Sequence, residues 1–221
     1  ISLNGSGQLV ITAKRIAEQS QMAISPDPAI EKMLNACNGC QFSSSRIKTA
    51  GKLSFQYGRM EIRMKSASGE GSWPAFWMLG AKMDEQGWPL AGEIDIMEWV
   101  GKAPLEALGT LHGPGYLGDH GCGGKLVAEK DFSDDWHEFG ICWKPGEISW
   151  QVDGETYFTA TPESVAPNAW VYDQPFYFLL NLAVGGNLGG ELAENLPDSN
   201  RLLVDYIRVY EYEGHGHIFT L

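Results

Sequence analysis

No stretch of this chain is apolar for long enough to cross a membrane as a helix, which takes about 20 consecutive residues. Basic residues are scarce too: 16 Lys and Arg stand against 28 Asp and Glu, a net charge of −12. Nucleic acid wants a basic surface, so no nucleic-acid partner is expected. The same repulsion disfavours anionic membranes and polyanionic substrates such as sulfated polysaccharides, and the balance suits a neutral substrate. No signal peptide is legible where the chain opens, directly on a strand-like segment. Repeats, low-complexity tracts and long linkers are missing as well. The 221 residues therefore read as a single domain, long enough for one β-sandwich or barrel with a full core.

Cysteine is sparse, with four residues: Cys37, Cys40, Cys122 and Cys142. The C-x-x-C spacing of Cys37 and Cys40 fits a redox pair, a disulfide or half of a zinc site. Zinc would call for a second close pair, and Cys122 and Cys142 lie far apart. A thioredoxin-like motif would need a βαβ context that this chain lacks. Cys142, inside the strand-like Phe139–Trp143 run, reads as a plain buried thiol.

Helical periodicity is nearly absent, and the one fair candidate, Pro28 to Ala36, is short. Short β-type runs recur instead, separated by Gly, Asn, Asp and Pro: Gln8–Thr12, Arg59–Met64, Ile148–Val152, Phe176–Leu180 and Leu203–Tyr210. In the second, Met60, Ile62 and Met64 alternate with Arg59, Glu61 and Arg63, the pattern of a half-buried strand. Asp153-Gly154 between two such runs signals a hairpin. The whole reads as an all-β antiparallel sandwich. Gly214-His215-Gly216-His217 reads as a frayed tail, and a two-histidine metal site there would lack the fixed geometry that ligands need.

The run Glu93-Ile94-Asp95-Ile96-Met97-Glu98 sets three carboxylates in one apolar, β-branched segment. Strand side chains alternate faces, so Glu93 and Asp95 share one, while Glu98 has the wrong parity. A β-bulge at Ile96-Met97 would add one residue and turn Glu98 to the same face. Ile94 and one of the two bulge residues would then pack behind. Acids lined up on one sheet face repel each other, and a strand used only as scaffold avoids them. Glycoside hydrolysis needs such a set: one ionised carboxylate and one carboxyl kept protonated by its neighbours.

Aromatics make up only 11% of the chain, yet Trp73, Trp77, Trp88 and Trp99 crowd around these acids. A pyranose stacks its apolar face on an indole while the N–H donates. Any one of these rings could equally fill a sandwich core; Trp73, Trp77 and Trp88 together point to a sugar cleft. His112, on a short run that could form the next strand, could donate to a sugar oxygen or a carboxylate, although a lone histidine is more often structural. Asn181 ends a very apolar strand, where an amide needs a hydrogen-bond partner in a loop or a ligand.

Five blocks now stand in order: Tyr57–Arg63, Trp73–Leu79, Gly92–Glu98, Asn181–Gly186 and Val204–Tyr210. Together they resemble glycoside hydrolase family 16 over nearly the whole chain. Trp88-Pro89 before Gly92-Glu93, and the two residues between Asp95 and Glu98, resemble its laminarinase branch. The resemblance implies a jelly-roll (concanavalin A-like) sandwich with a concave cleft. It implies a retaining endo-β-1,3-glucanase that also tolerates mixed β-1,3/1,4 linkages and needs no cofactor for catalysis. Glu93 would be the nucleophile, Glu98 the general acid and then base, and Asp95 the group that holds both in order. Trp73, Trp77, Trp88, His112 and Asn181 would bind the β-glucan, with His112 near the leaving-group side. Asp205 matches the family's C-terminal ligand to a structural calcium. Alternatives are a galactan hydrolase of the same family and a non-catalytic β-glucan-binding module, the second opposed by the complete set of acids. Family members usually begin with further strands before the segment matching Gln8 to Lys14; a monomer is expected, or weak self-association if those strands are missing. A secreted protein is expected on the same resemblance.

Overall fold

The computed structural model describes residues 1–16 and 40–220. The helix expected over Pro28 to Ala36, and Cys37, lie outside the described residues. Sixteen strands run through the rest: β1 (Ser2–Leu3), β2 (Leu9–Arg15), β3 (Phe42–Ser43), β4 (Arg46–Lys48), β5 (Leu53–Gln56), β6 (Gly58–Lys65), β7 (Ser72–Gly80), β8 (Glu93–Trp99), β9 (Glu106–His112), β10 (Cys122–Val127), β11 (His137–Lys144), β12 (Glu147–Val152), β13 (Glu155–Ala160), β14 (Phe176–Val184), β15 (Ser199–Tyr210) and β16 (His217–Thr220).

They form two eight-stranded antiparallel sheets. One has the order β1-β2-β15-β6-β11-β12-β13, with β3 added beside β2. The other runs β10-β9-β8-β7-β14-β5-β16, with β4 added beside β14. Alternating side chains from both fill the space between them: Met60, Ile62, Met64, Phe139, Ile141 and Trp143 from the first, Phe76, Met78, Ile94, Trp99, Phe178 and Leu180 from the second. Each such side chain contributes about 1.5–3 kcal/mol by leaving water. The all-β sandwich expected from the strand pattern is therefore the fold.

Several local expectations hold. Asp153 and Gly154 close the β12–β13 hairpin at φ of 50° and 84°, the backbone of a type I′ turn. Cys142 is a buried free thiol, Cys122 is also free, and Cys40 is disulfide-bonded. The tail differs. Glu213 and Gly214 turn the chain at positive φ, and β16 pairs with β5 along its length, so this segment is an edge strand and not a frayed end. Among the described residues, His215 and His217 join no group that could hold a metal. Glu61 faces away from the core as its parity requires, but it is only 4% exposed, beneath Arg59 at 2.9 Å and the Tyr210 hydroxyl at 3.1 Å.

Candidate active site

β8 lies inside its sheet between β7 and β9, and the register of both ladders shifts at one place. On one side Trp77 faces Asp95 and Phe76 faces Met97, which leaves Ile96 as the extra residue. On the other, Asp95 faces Thr110 and Glu98 faces Leu108. This is the bulge that parity requires, and it turns Glu98 to the side of Glu93 and Asp95. Sequence parity puts one bulge residue behind the strand; in the structure both are there, Ile96 at 1% and Met97 at 0% exposure. Both belong to the hydrophobic core between the sheets. Gly92 leads into β8 at φ 77°, where an added Cβ would lie 2.9 Å from Val171 and 3.0 Å from Phe176.

The tryptophans do more than line a surface. Trp73 Nε1 donates to Glu98 Oε1 at 3.0 Å, and Trp88 Nε1 donates to Glu93 Oε2 at 2.5 Å. Trp77 Nε1 donates to Asn181 Oδ1 at 2.8 Å across the β7–β14 ladder. All three indole N–H groups therefore serve protein acceptors, where sequence reasoning assigns them to sugar; their faces remain for stacking, and Trp88 is 43% exposed. Asn181 finds its partner in a neighbouring side chain rather than in a loop. Trp99, by contrast, is a core residue that donates to the Pro104 carbonyl. His112 faces Glu93 in register and sets Nε2 3.1 Å from Asp95 Oδ2, its carboxylate option.

Among the described residues, no Lys or Arg forms an ion pair with these three acids. Burial pushes Glu93 up to about 8, the charge of Asp95 adds to this, and His112 and the Trp88 N–H pull the other way. Burial holds Asp95 well above the usual carboxylate range, and Glu98 adds to it. Burial raises Glu98 as well, opposed by the Trp73 N–H and by His112. Such a set shares its protons, and its titration belongs to the cluster. Glu93 and Asp95 therefore share a proton up to about pH 8, and where Glu93 is ionised, supported by its indole donor, that proton rests on Asp95.

The geometry has clear relatives. The sequence model of the glycosyl hydrolases family 16 matches residues 5–207. The chain belongs to this family. A beta-glucanase of Rhodothermus marinus is 40% identical over 195 residues, 83% of this chain and 67% of that protein. Glucan endo-1,3-beta-glucosidase A1 of Niallia circulans is 39% identical over 184 residues, 77% of this chain. The matched part is only 26% of the Niallia protein's length. The catalytic domain of an endo-1,3-beta-glucanase (laminarinase) from Thermotoga petrophila superimposes with a TM-score of 0.81 at 39% identity, covering 94% of this chain and 78% of that one.

Family 16 membership raises the question of calcium at Asp205. Asp205 sits at a second register shift, between Val204 and Tyr206, and binds the Arg63 guanidinium at 2.7 Å. Calcium wants six to eight oxygens. Among the described residues no other Asp, Glu, His or Cys side chain joins Asp205 in a metal-sized group. A cation bound through Oδ2 of Asp205 would compete with the Arg63 guanidinium.

Proposed function

We propose that this chain is a retaining endo-β-1,3-glucanase that also accepts mixed β-1,3/1,4-linked glucan. The observation that carries the reading is the bulge in β8, which gathers Glu93, Asp95 and Glu98 on one face and sets an indole donor on each glutamate. In the first step an ionised Glu93 oxygen bonds to the anomeric carbon while Glu98 gives its proton to the departing glycosidic oxygen. The sugar is then an ester of Glu93. In the second step Glu98, now a carboxylate, takes a proton from water; the water oxygen bonds to the anomeric carbon and Glu93 leaves as carboxylate. Two inversions retain the configuration.

The environment suits each role. The Trp88 N–H supports charge on Glu93, and burial keeps Glu98 protonated above the ordinary glutamate range. Asp95 shares a proton with Glu93, and the His112 imidazole faces Asp95 Oδ2. The exposed ring of Trp88 and the half-buried rings of Trp73 and Trp77 offer faces for a neutral sugar chain. A net charge of −12 opposes a sulfated one. The Cys40 disulfide suits an oxidising compartment, which supports a secreted enzyme.

The test is to incubate the purified chain with laminarin, mixed-linkage β-glucan and agarose and to separate the products. A ladder of short oligosaccharides from laminarin, born as the β-anomer by NMR, is expected. Products from agarose alone would overturn the substrate. No products, with laminarin retained in a pull-down, would leave a binding module.

A further inference from the structure

The bulge in β8 interrupts both ladders beside it, and something outside its own sheet holds it. Trp150 on β12, in the opposite sheet, reaches across the core and donates its indole N–H to the backbone carbonyl of Asp95 at 2.8 Å. Trp150 is fully buried. The position opposite the bulge on β9 is Gly109, where an added Cβ would lie 2.2 Å from Trp150 Cδ1 and 2.5 Å from Nε1. The indole thus occupies the volume that any other residue at 109 would fill. Phe158 on β13 backs the indole at 5.2 Å between ring centroids. Phe158 lies over Gly124, where a Cβ would come 2.6 Å from the ring. Two glycines in one sheet therefore open a window for two aromatics of the other, and the end of that strut is the carbonyl where the register changes.

We propose that Trp150 is a positioning residue: its N–H fixes the bulge, and through it the aim of Glu98. The inference rests on the reading of Glu98 as the general acid. Glu93 precedes the bulge and is set by regular pairing with Leu79 and His112. Glu98 follows it, so its direction depends on where the extra residue is accommodated; a slip of one position turns it into the core.

The test replaces Trp150 with 3-benzothienylalanine, which keeps the bicyclic ring and exchanges only the N–H for sulfur, and compares Trp150→Phe. The values read are kcat/KM on laminarin, kcat/KM on 2,4-dinitrophenyl β-laminaribioside, and amide exchange at residues 96–98. The dinitrophenolate leaves without a proton, so this substrate bypasses the general acid. Both variants are expected to lose about tenfold or more on laminarin, to stay within about threefold of the parent on the aryl glycoside, and to exchange faster at 96–98. Equal losses on the two substrates, or a loss confined to Trp150→Phe, would overturn the proposal, because a cavity alone would then be the cause. If the unsubstituted protein cleaves neither substrate, the functional reading fails by itself. Exchange then decides the strut: faster exchange in the benzothienyl variant upholds the hold on the bulge, and unchanged exchange refutes it.

Discussion

Each sheet of the sandwich buries a strand carboxylate away from the shared core, and the two are treated in opposite ways. Glu61 on β6 is 4% exposed and meets the Arg59 guanidinium at 2.9 Å, with the Tyr210 hydroxyl as a second donor. Arg59 also reaches Glu138 at 3.0 Å, and Arg63 pairs with Asp205. Asp95 on β8 is 3% exposed and has Glu93 and Glu98 for neighbours, and among the described residues its one basic partner is the His112 imidazole. A buried charge beside a cation is structural economy. A buried acid beside other acids costs stability at neutral pH and is tolerated where protons must be held and moved.

The sharpest break of this contrast is to remove the acids themselves. Glu93→Ala and Glu98→Ala should each lower laminarin hydrolysis by at least about a thousandfold, with the fold intact by circular dichroism. Wild-type turnover in either would sink the assignment. Azide should restore part of the rate in Glu93→Ala, because a small anion can replace the lost nucleophile.

On the other sheet the expected effect is on stability. Arg59→Ala leaves Glu61 covered and without its cation, at a cost of about 1–3 kcal/mol in urea unfolding; Arg59 is 39% exposed, which keeps this below the figure for a fully buried pair. Laminarin turnover at 25 °C should stay near the parent value.

Glu93→Gln should do the reverse and stabilise, in a pH-dependent way. The folded-state pKa of Glu93 is raised to about 8, so the native chain binds more protons than the unfolded one from the unfolded glutamate value upward. The stability linked to this group is complete below about pH 4 and is lost as pH rises through about 8. Glu93→Gln should therefore melt higher than the parent at pH 8, by roughly 1–2 kcal/mol, and show little advantage at pH 4. A difference that is the same at both values would contradict the burial argument.

Trp73→Phe removes the N–H that lowers Glu98. The alkaline limb of the kcat/KM profile, where the acid loses its proton, should then move to higher pH. A limb that moves down or stays would separate Trp73 from the acid. The smallest effect is expected from Arg63→Ala, whose pair with Asp205 is more than a third exposed: about 0.2–1 kcal/mol, with no change in rate or in sensitivity to a chelator.

Much of the site was legible in the chain because strand parity is a rigid rule. Three acids with one out of phase require a bulge, and the bulge is there. The aromatic crowding also pointed to the right neighbourhood. The donors on the acids were not legible, since a tryptophan N–H finds its acceptor only through the register of β7 against β8 and through the loop that returns Trp88. The pairing of Asp205 with Arg63 on the neighbouring strand was not legible either, and Glu61 looked solvent-facing until Tyr210 and Arg59 covered it. Trp150 and Gly109 carried no signal that set them apart from any core tryptophan or turn glycine.

Local periodicity and turn chemistry alone determined the strands, the β12–β13 hairpin, the sandwich class and the shared face of the acids, because each depends on residues within one segment. The tertiary structure decided which groups neutralise which carboxylates, where the protons sit and what pins the bulge. Those depend on residues far apart in the chain, such as Trp150 and Asp95 or Trp77 and Asn181, and on the removal of water when the two sheets close on each other.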